Sequence, residues 1–342
     1  MDPEEEIRKV QFTGRASYII NLPKRWIVKQ KIQQGDPLVV LPQPDGSLRI
    51  SPKALSAGEN AQEVVMKVAP DLDNDSLIRR LVSLYLSGYN TVRLVAAGGV
   101  TLVQREVIKQ LIRTRFVGTE IVSESSDSMT LQVLMSLPEL PVEDALRRMS
   151  IIAGFMLRDA FRAVETLDRN LATSVIKADD EVDRFSLYVI RQLVSAVRNQ
   201  LVMKEIRLSN PVECLGYRVV VKSVERMADH ASNIASTVLS MEKKLDAPTL
   251  SDLAEFKSMD SQALEDSLAA LFKRDYSMAD GVFEVVSRCR KLDAKVLARI
   301  SERKGIDETA SRLIAEDLRR WAEYSADIAE VVLNLTVAPS QA

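Results

Sequence analysis

Apolar residues recur at three- and four-residue spacing from residue 142 to residue 337, which is the spacing of one face of an α-helix. Only Pro211 and Pro248 fall between residues 142 and 338, and proline is excluded from helix interiors. The pattern therefore predicts a mainly α protein. Five breaks divide this stretch into six predicted helices, and they lie at about 171–173, 209–211, 246–248, 274–275 and 304–306.

The first 53 residues show a different pattern, in which short apolar runs are separated by proline and glycine. The predicted elements are strands at 9–12, 17–22, 37–41 and 47–50 and a short helix that begins at Pro23 and ends at Gly35-Asp36. A unit of this size has too few apolar residues to be stable alone. We therefore expect a second copy of the chain to complete its core.

Strand-like runs alternate with helical patterns between residues 62 and 136, which predicts a small α/β layer. The predicted strands and helices are 64–68, 76–86, 91–95, 103–114, 119–122 and 129–135. Gly98 and Gly99 lie at a strand–helix junction, where glycine-rich loops can bind phosphate. Because the longer spacing of a phosphate-binding motif is missing, this pair favours an ordinary turn.

The helical stretch contains an internal repeat of about 100 residues. Glu-x-x-Ala-Asp-x-Ala occurs at 225–231 and again at 323–329, and Asp183 aligns with Asp280 at nearly the same offset. The repeat predicts two tandem three-helix bundles, which follow the small β-rich region and the small α/β layer. The predicted domain boundaries are 5–53, 62–136, 142–244 and 249–337.

Acidic residues four apart stand on one face of a helix, where their like charges repel. The pairs that recur in register are Asp179 with Asp183, Glu225 with Asp229, and Glu323 with Asp327. A cation offsets such repulsion, and carboxylates are the oxygen ligands of a hard metal ion. A solvated acidic surface is the alternative, because 48 acidic residues in 342 give about seven such pairs by chance.

The formal net charge is −2, yet residues 7–35 contain seven basic residues and no acidic one. Such a patch is typical of nucleic-acid binding, and docking on an acidic partner is the alternative. His230 is the single histidine, which excludes a multi-histidine zinc or haem site, and no nucleophile motif or P-loop indicates an enzyme. Two cysteines and the absence of a signal-peptide pattern favour a cytoplasmic protein, and no charge-free run reaches the roughly 20 residues of a membrane helix.

The segment ERMADHASNIA at 225–235, together with the duplicated bundle, resembles the PhoU phosphate-uptake regulators over roughly residues 142–337. This resemblance implies a cytoplasmic, non-enzymatic regulator that binds divalent or trivalent metal ions such as iron, zinc, magnesium or manganese. The implied ligands are Asp179, Asp183, Glu225, Asp229 and Asn233 in the first bundle and Asp280, Glu323 and Asp327 in the second. Tyr276 and Val331 replace two of these positions in the second copy, which weakens that site.

The segment TGRASYIINLPKRW at 13–26, followed by Gly35-Asp36, resembles the AbrB/MazE/SpoVT swapped-hairpin DNA-binding fold over about residues 5–53. This resemblance implies a homodimer with interleaved hairpins. With the basic patch it predicts DNA binding by Arg8, Lys9, Arg15, Ser17, Lys24 and Arg25.

Both resemblances together predict a phosphate-responsive regulator of phosphate uptake that binds DNA and metal ions, with inorganic phosphate as a further candidate ligand. The alternative is an adaptor without DNA binding that docks on a phosphate transporter ATPase or a signalling kinase.

Overall fold

A computed structural model describes most of the chain, and the described ranges are residues 6–13, 17–42, 46–52, 63–134, 140–302 and 307–337. Two compact units make up the chain, Met1–Gln62 and Glu63–Ala342. The described residues contain ten helices and a few short strands, which confirms the predicted mainly α fold. The finer domain boundaries within the second unit stay predictions. No helix in these ranges is both long and apolar enough to cross a membrane.

The first unit contains two antiparallel strand pairs and one short helix. Its elements are β1 (Gln11–Thr13), β2 (Ser17–Ile19), α1 (Lys24–Lys29), β3 (Leu38–Pro42) and β4 (Leu48–Pro52). Helix α1 begins directly after Pro23, as predicted, but it ends at Lys29 rather than at Gly35-Asp36. Lys31 has a φ of 55°, and this left-handed residue stops the helix earlier than the glycine.

The first unit has almost no interior of its own. None of its described residues is buried, and the side chains of Phe12, Tyr18 and Val28 are 61 %, 75 % and 66 % exposed. Monomeric proteins rarely leave so many large apolar side chains in water. This exposure agrees with the expectation that the unit lacks a sufficient core.

The second unit begins with a four-stranded sheet that carries two helices. Its elements are β5 (Glu63–Lys67), α2 (Asn74–Leu86), β6 (Thr91–Val95), α3 (Leu102–Arg115), β7 (Thr119–Glu124) and β8 (Ser128–Val133). The strand order is β5-β6-β8-β7, in which only β5 and β6 are parallel. Gly98 and Gly99 both have positive φ and form the turn before α3. Thr101 then caps the N-terminus of α3, because its side chain accepts a hydrogen bond from the Gln104 N–H.

Six long helices and one short helix follow. They are α4 (Val142–Thr166), α5 (Arg169–Arg198), α6 (Gln200–Glu205), α7 (Pro211–Ser240), α8 (Ala247–Lys273), α9 (Tyr276–Glu302) and α10 (Glu308–Thr336). Helices α4, α5 and α7 pack together, α8, α9 and α10 pack together, and α7 packs against α10 between the two groups. One continuous apolar core runs through both bundles.

Two details of the helical region differ from the sequence prediction. The first break lies at Leu167 and Asp168 rather than at 171–173, because Leu167 is left-handed and the Asp168 side chain accepts hydrogen bonds from the first backbone N–H groups of α5. The apolar spacing does not predict the short helix α6, which begins where the Asn199 side chain caps the Leu201 N–H.

A buried arginine of α5 fastens the α/β layer to the first bundle. The guanidinium of Arg191, 2 % exposed, donates to the carbonyl oxygens of Tyr85 and Gly88 and to the side-chain oxygen of Asn90. Arg198, two turns further along α5, donates to the carbonyl oxygen of Ser87. The layer is therefore held against the same helix that carries Asp179 and Asp183.

Candidate metal centre and basic N-terminal surface

Four of the predicted metal ligands act on one another electrostatically. Asp179 and Asp183 lie on α5, and Glu225 and Asp229 lie on the facing helix α7. Burial, followed by the charges of Asp229, Asp183 and Glu225, raises the pKa of Asp179 to about 7. Burial and the charges of Glu225 and Asp183 raise the pKa of Asp229 to about 6. We call these four residues the acidic cluster.

Two oxygen atoms of the acidic cluster are buried without a hydrogen-bond partner. They are Oδ1 of Asp179 and Oε2 of Glu225. Buried carboxylate oxygens are costly unless a donor or a cation satisfies them, so this donor set fits a hard metal ion. With the side chains in these positions, however, no three Asp, Glu, His or Cys residues converge on one ion position within the described ranges. Binding would therefore require these side chains to rearrange.

Two basic side chains offset part of the charge of the acidic cluster. Lys222 pairs with Glu225 on α7. Nη1 of Arg115, at the end of α3, lies 2.9 Å from Oδ2 of Asp183. Burial raises the pKa of Asp183 and the Arg115 charge opposes that shift. Nothing in the sequence pattern indicates Arg115, because it belongs to the α/β layer and contacts the cluster only through tertiary packing.

Asn233, the fifth predicted ligand of the first bundle, is exposed one turn after Asp229 on α7. His230 contacts the second bundle, because its Nδ1 lies 2.7 Å from Oδ1 of Asp317 on α10. Its ring also stacks on Tyr324, with the ring centroids 5.7 Å apart. The single histidine is thus a packing residue between α7 and α10.

The second bundle has no matching cluster in the part of the chain described. Glu323 pairs with Arg319 and Arg320, and Asp280 is exposed. Burial and the charges of Glu330 and Glu323 raise the pKa of Asp327, and the charge of Arg226 on α7 opposes this shift. Asp280 is not among the groups that shift this pKa. The three predicted ligands of the second bundle are therefore not brought together as those of the first bundle are.

A different carboxylate of the second bundle, Asp293, is partly buried. Burial raises the pKa of Asp293, Arg319 opposes that shift, and Glu316 and Glu323 add to it. Oδ1 of Asp293 has no hydrogen-bond partner in the described ranges. The repeat aligns Asp293 with Ala196, so comparison of the two copies gives no signal for it.

The predicted DNA-binding residues lie on the surface of the first unit where they are described. Arg8, Lys9, Ser17, Lys24 and Arg25 are exposed, and Arg15 lies outside the described residues. Arg8 pairs with Glu6. Lys24 and Arg25 form the first turn of α1, which has no acidic residue in that turn. The described part of this surface is basic and accessible.

Comparison with known proteins relates the helical region to one family. Residues 146–238 match the PhoU domain. The phosphate-specific transport system accessory protein PhoU homolog 1 of Thermotoga maritima is 24 % identical over 199 residues, which covers 55 % of this chain and 82 % of that protein. The corresponding PhoU homolog of Borreliella burgdorferi is 28 % identical over 181 residues, covering 52 % of this chain and 77 % of that protein.

Two crystal structures share the fold. PhoU from Pseudomonas aeruginosa superimposes with a TM-score of 0.51 at 18 % identity and covers 57 % of this chain and 94 % of that one. The phosphate transport system regulatory protein PhoU from Streptococcus pneumoniae gives a TM-score of 0.50 at 19 % identity, covering 58 % of this chain and 96 % of that one. At these identities the likeness concerns the fold alone.

Proposed function

We propose that this chain, in which residues 146–238 match the PhoU domain, belongs to the PhoU family and is a regulator of phosphate uptake that binds metal ions at the acidic cluster and DNA through its first unit. The observation that carries the metal proposal is the pair of buried, unpartnered oxygens of Asp179 and Glu225. The similarity to accessory proteins of phosphate-specific transport systems supports the role in phosphate uptake.

The proposed ligands are Asp179, Asp183, Glu225 and Asp229, with Asn233 as a fifth oxygen donor. A bound iron, zinc, magnesium or manganese ion would supply positive charge where four carboxylates repel one another. Helices α5 and α7 of the first bundle would provide these ligands, because the two helices pack together. Burial makes the unneutralised charge of Asp179 costly. Occupancy would therefore stabilise the contact between these helices.

Elemental analysis of protein purified without chelators, followed by titration calorimetry with Mn²⁺, tests the metal site. We expect Asp179→Asn to weaken Mn²⁺ binding by about 10- to 100-fold, since one charged ligand is lost. Glu181→Gln is the matched control, because Glu181 is an exposed carboxylate on the same helix. If Asp179→Asn binds Mn²⁺ as tightly as Glu181→Gln and the unchanged protein do, the acidic cluster is not the metal site.

The DNA proposal is supported by the exposed basic residues of the first unit and by its shortage of core, which suits a homodimer with a doubled basic surface. Its test is binding of the full chain to DNA upstream of phosphate transporter genes at several salt concentrations. We expect a steep loss of affinity with salt and a further loss in the double variant Lys24→Ala/Arg25→Ala. Lys177→Ala, an exposed lysine of α5, should leave binding unchanged.

An adaptor that does not bind DNA is the second candidate, and the similarity to phosphate transport accessory proteins favours it as much as the first. In this case the first unit only dimerises, and the bundles dock on a phosphate transporter ATPase or a signalling kinase. Salt-insensitive or absent DNA binding, together with copurification of the transporter ATPase, would favour the adaptor. A DNA affinity that changes on adding metal and inorganic phosphate would favour the regulator.

A further inference from the structure

A long apolar groove runs between the first helices of the two bundles. Its walls are α4 and α8, its floor includes Trp321 of α10, and its volume is about 830 Å³. Ile151 and Phe155 of the α4 wall are 56 % and 50 % exposed. The groove is separate from the acidic cluster, which lies between α5 and α7. A groove of this size between two helices suits a third helix laid along it.

Trp321 of α10 is one of the residues that line the groove. It is fully buried, so its ring lies beneath the groove surface and reports on what binds there. Gly154 widens the groove beside it, because a Cβ added at this residue would meet nothing within 4 Å.

The rim of the groove is basic. The lining contains three basic residues, Arg147, Arg158 and Lys257, and one acidic residue, Glu265. Within the described residues Arg147 and Lys257 form no ion pair. The guanidinium of Arg147 lies 3.5 Å from the ring centroid of Phe272, and that of Arg158 lies 4.5 Å from the ring centroid of Phe155. Stacking leaves the N–H edge of Arg147 available for a carboxylate, whereas Nε of Arg158 already lies 3.4 Å from Oδ1 of Asp159.

We propose that this groove binds an amphipathic helix of a partner protein whose apolar stripe is flanked by acidic residues. The apolar walls accept the stripe, and the basic rim pairs with the acidic flanks. A second copy of this chain fits poorly, because a symmetric contact would place one basic rim against another. The inference does not rest on metal or DNA binding.

Selection from a display library tests the preferred occupant on the full chain. The library holds helices of about 16 residues with a fixed Leu/Phe stripe and flanking positions drawn from Glu, Gln and Lys. We expect enrichment of Glu, and we expect the enriched peptide to change Trp321 fluorescence in a Trp26→Phe background, where Trp321 is the single tryptophan. Enrichment of Lys, or no charge preference, would overturn the proposal.

Matched variants locate the binding site of the enriched peptide. Gly154→Leu fills the groove and should weaken binding by at least about tenfold, as should Arg147→Glu on the rim. Gly281→Leu, at a helical glycine of α9 that also has nothing within 4 Å, should leave binding unchanged. Ile151→Glu, at an exposed wall position, gives a second blocking variant if Gly154→Leu fails to fold.

Two other occupants are separate outcomes of the same design. If Gly154→Leu lowers the sedimentation mass of the full chain while no peptide binds, the groove is a contact between copies. If sodium laurate changes Trp321 fluorescence and no peptide does, the groove holds an anionic lipid. Either result overturns the partner-helix proposal.

Discussion

The Nδ1 atom of His230 lies 2.7 Å from Oδ1 of Asp317, so the single histidine of the chain joins the first bundle to the second. The side chains are 19 % and 11 % exposed. His230 directly follows Asp229, a member of the acidic cluster, on α7. A shift of α7 at the acidic cluster would therefore displace a side chain that is hydrogen-bonded to α10.

We predict that His230→Ala lowers the free energy of unfolding by about 1–2 kcal/mol, since it leaves the sheltered carboxylate of Asp317 without its partner. His230→Gln, which retains a donor, should recover part of this loss. Urea unfolding of both variants and of the double variant with Asp317→Ala measures the coupling. If the two single effects simply add in the double variant, the pair does not stabilise the contact between the bundles.

We predict that chelator-treated protein becomes more stable as the pH falls from about 8 to about 5. The pKa values of Asp179 and Asp229, raised to about 7 and about 6, mean that the native state holds protons that the unfolded state has released. The gain is complete only below the unfolded pKa of 3.8, and it is lost as the pH rises to and through the native pKa values. We expect about 1–2 kcal/mol from Asp179, because the site is half exposed and solvent screens part of the repulsion.

Thermal unfolding across this pH range checks the prediction in two variants. Asp179→Asn should flatten the pH dependence, because the group that takes up the proton is gone. Glu181→Gln should keep it. The opposite trend in the unchanged protein would contradict the assignment, whereas saturating Mn²⁺ should reduce the trend, since metal and protons compete for the same carboxylates.

We predict that Arg115→Ala raises the affinity for Mn²⁺ by about fivefold, since it removes a cation 2.9 Å from Asp183 that competes with the metal. The same variant should lower the stability of the metal-free protein, because Asp183 loses its partner. Arg113→Ala, at an exposed arginine of the same helix, is the control for titration calorimetry. If Arg115→Ala binds Mn²⁺ with unchanged affinity, the Arg115 charge does not compete with the metal, and the prediction is wrong.

We predict that the double variant Phe12→Ser/Tyr18→Ser dissociates into monomers at micromolar concentration. The two rings contact each other with centroids 5.2 Å apart and are largely exposed within one chain, so a partner chain is needed to bury them. Analytical ultracentrifugation of the full chain measures the mass. Val65→Ser, at an exposed valine of β5, should keep the mass of the unchanged protein, and a monomeric unchanged protein would refute the homodimer.

Local rules made most of the fold predictable. The three- and four-residue spacing located the long helices, and the predicted breaks at 209–211 and 246–248 contain the capping residues Asn210 and Asp246 of α7 and α8. Helix ends and the short α6 were less predictable. A single left-handed residue such as Leu167 ends a helix without any change in the apolar pattern.

The sequence by itself determined the long helices, the repeat and the pairs of carboxylates that share one face of a helix, because spacing along a helix decides which side chains share a face. The tertiary structure decided which of these carboxylates meet. It brought Arg115 to Asp183 from another layer, and in the second bundle it partly buried Asp293 while Asp280 stays exposed. Local spacing carries no information about the rotation and offset of packed helices, and these set the distances between charges on different helices.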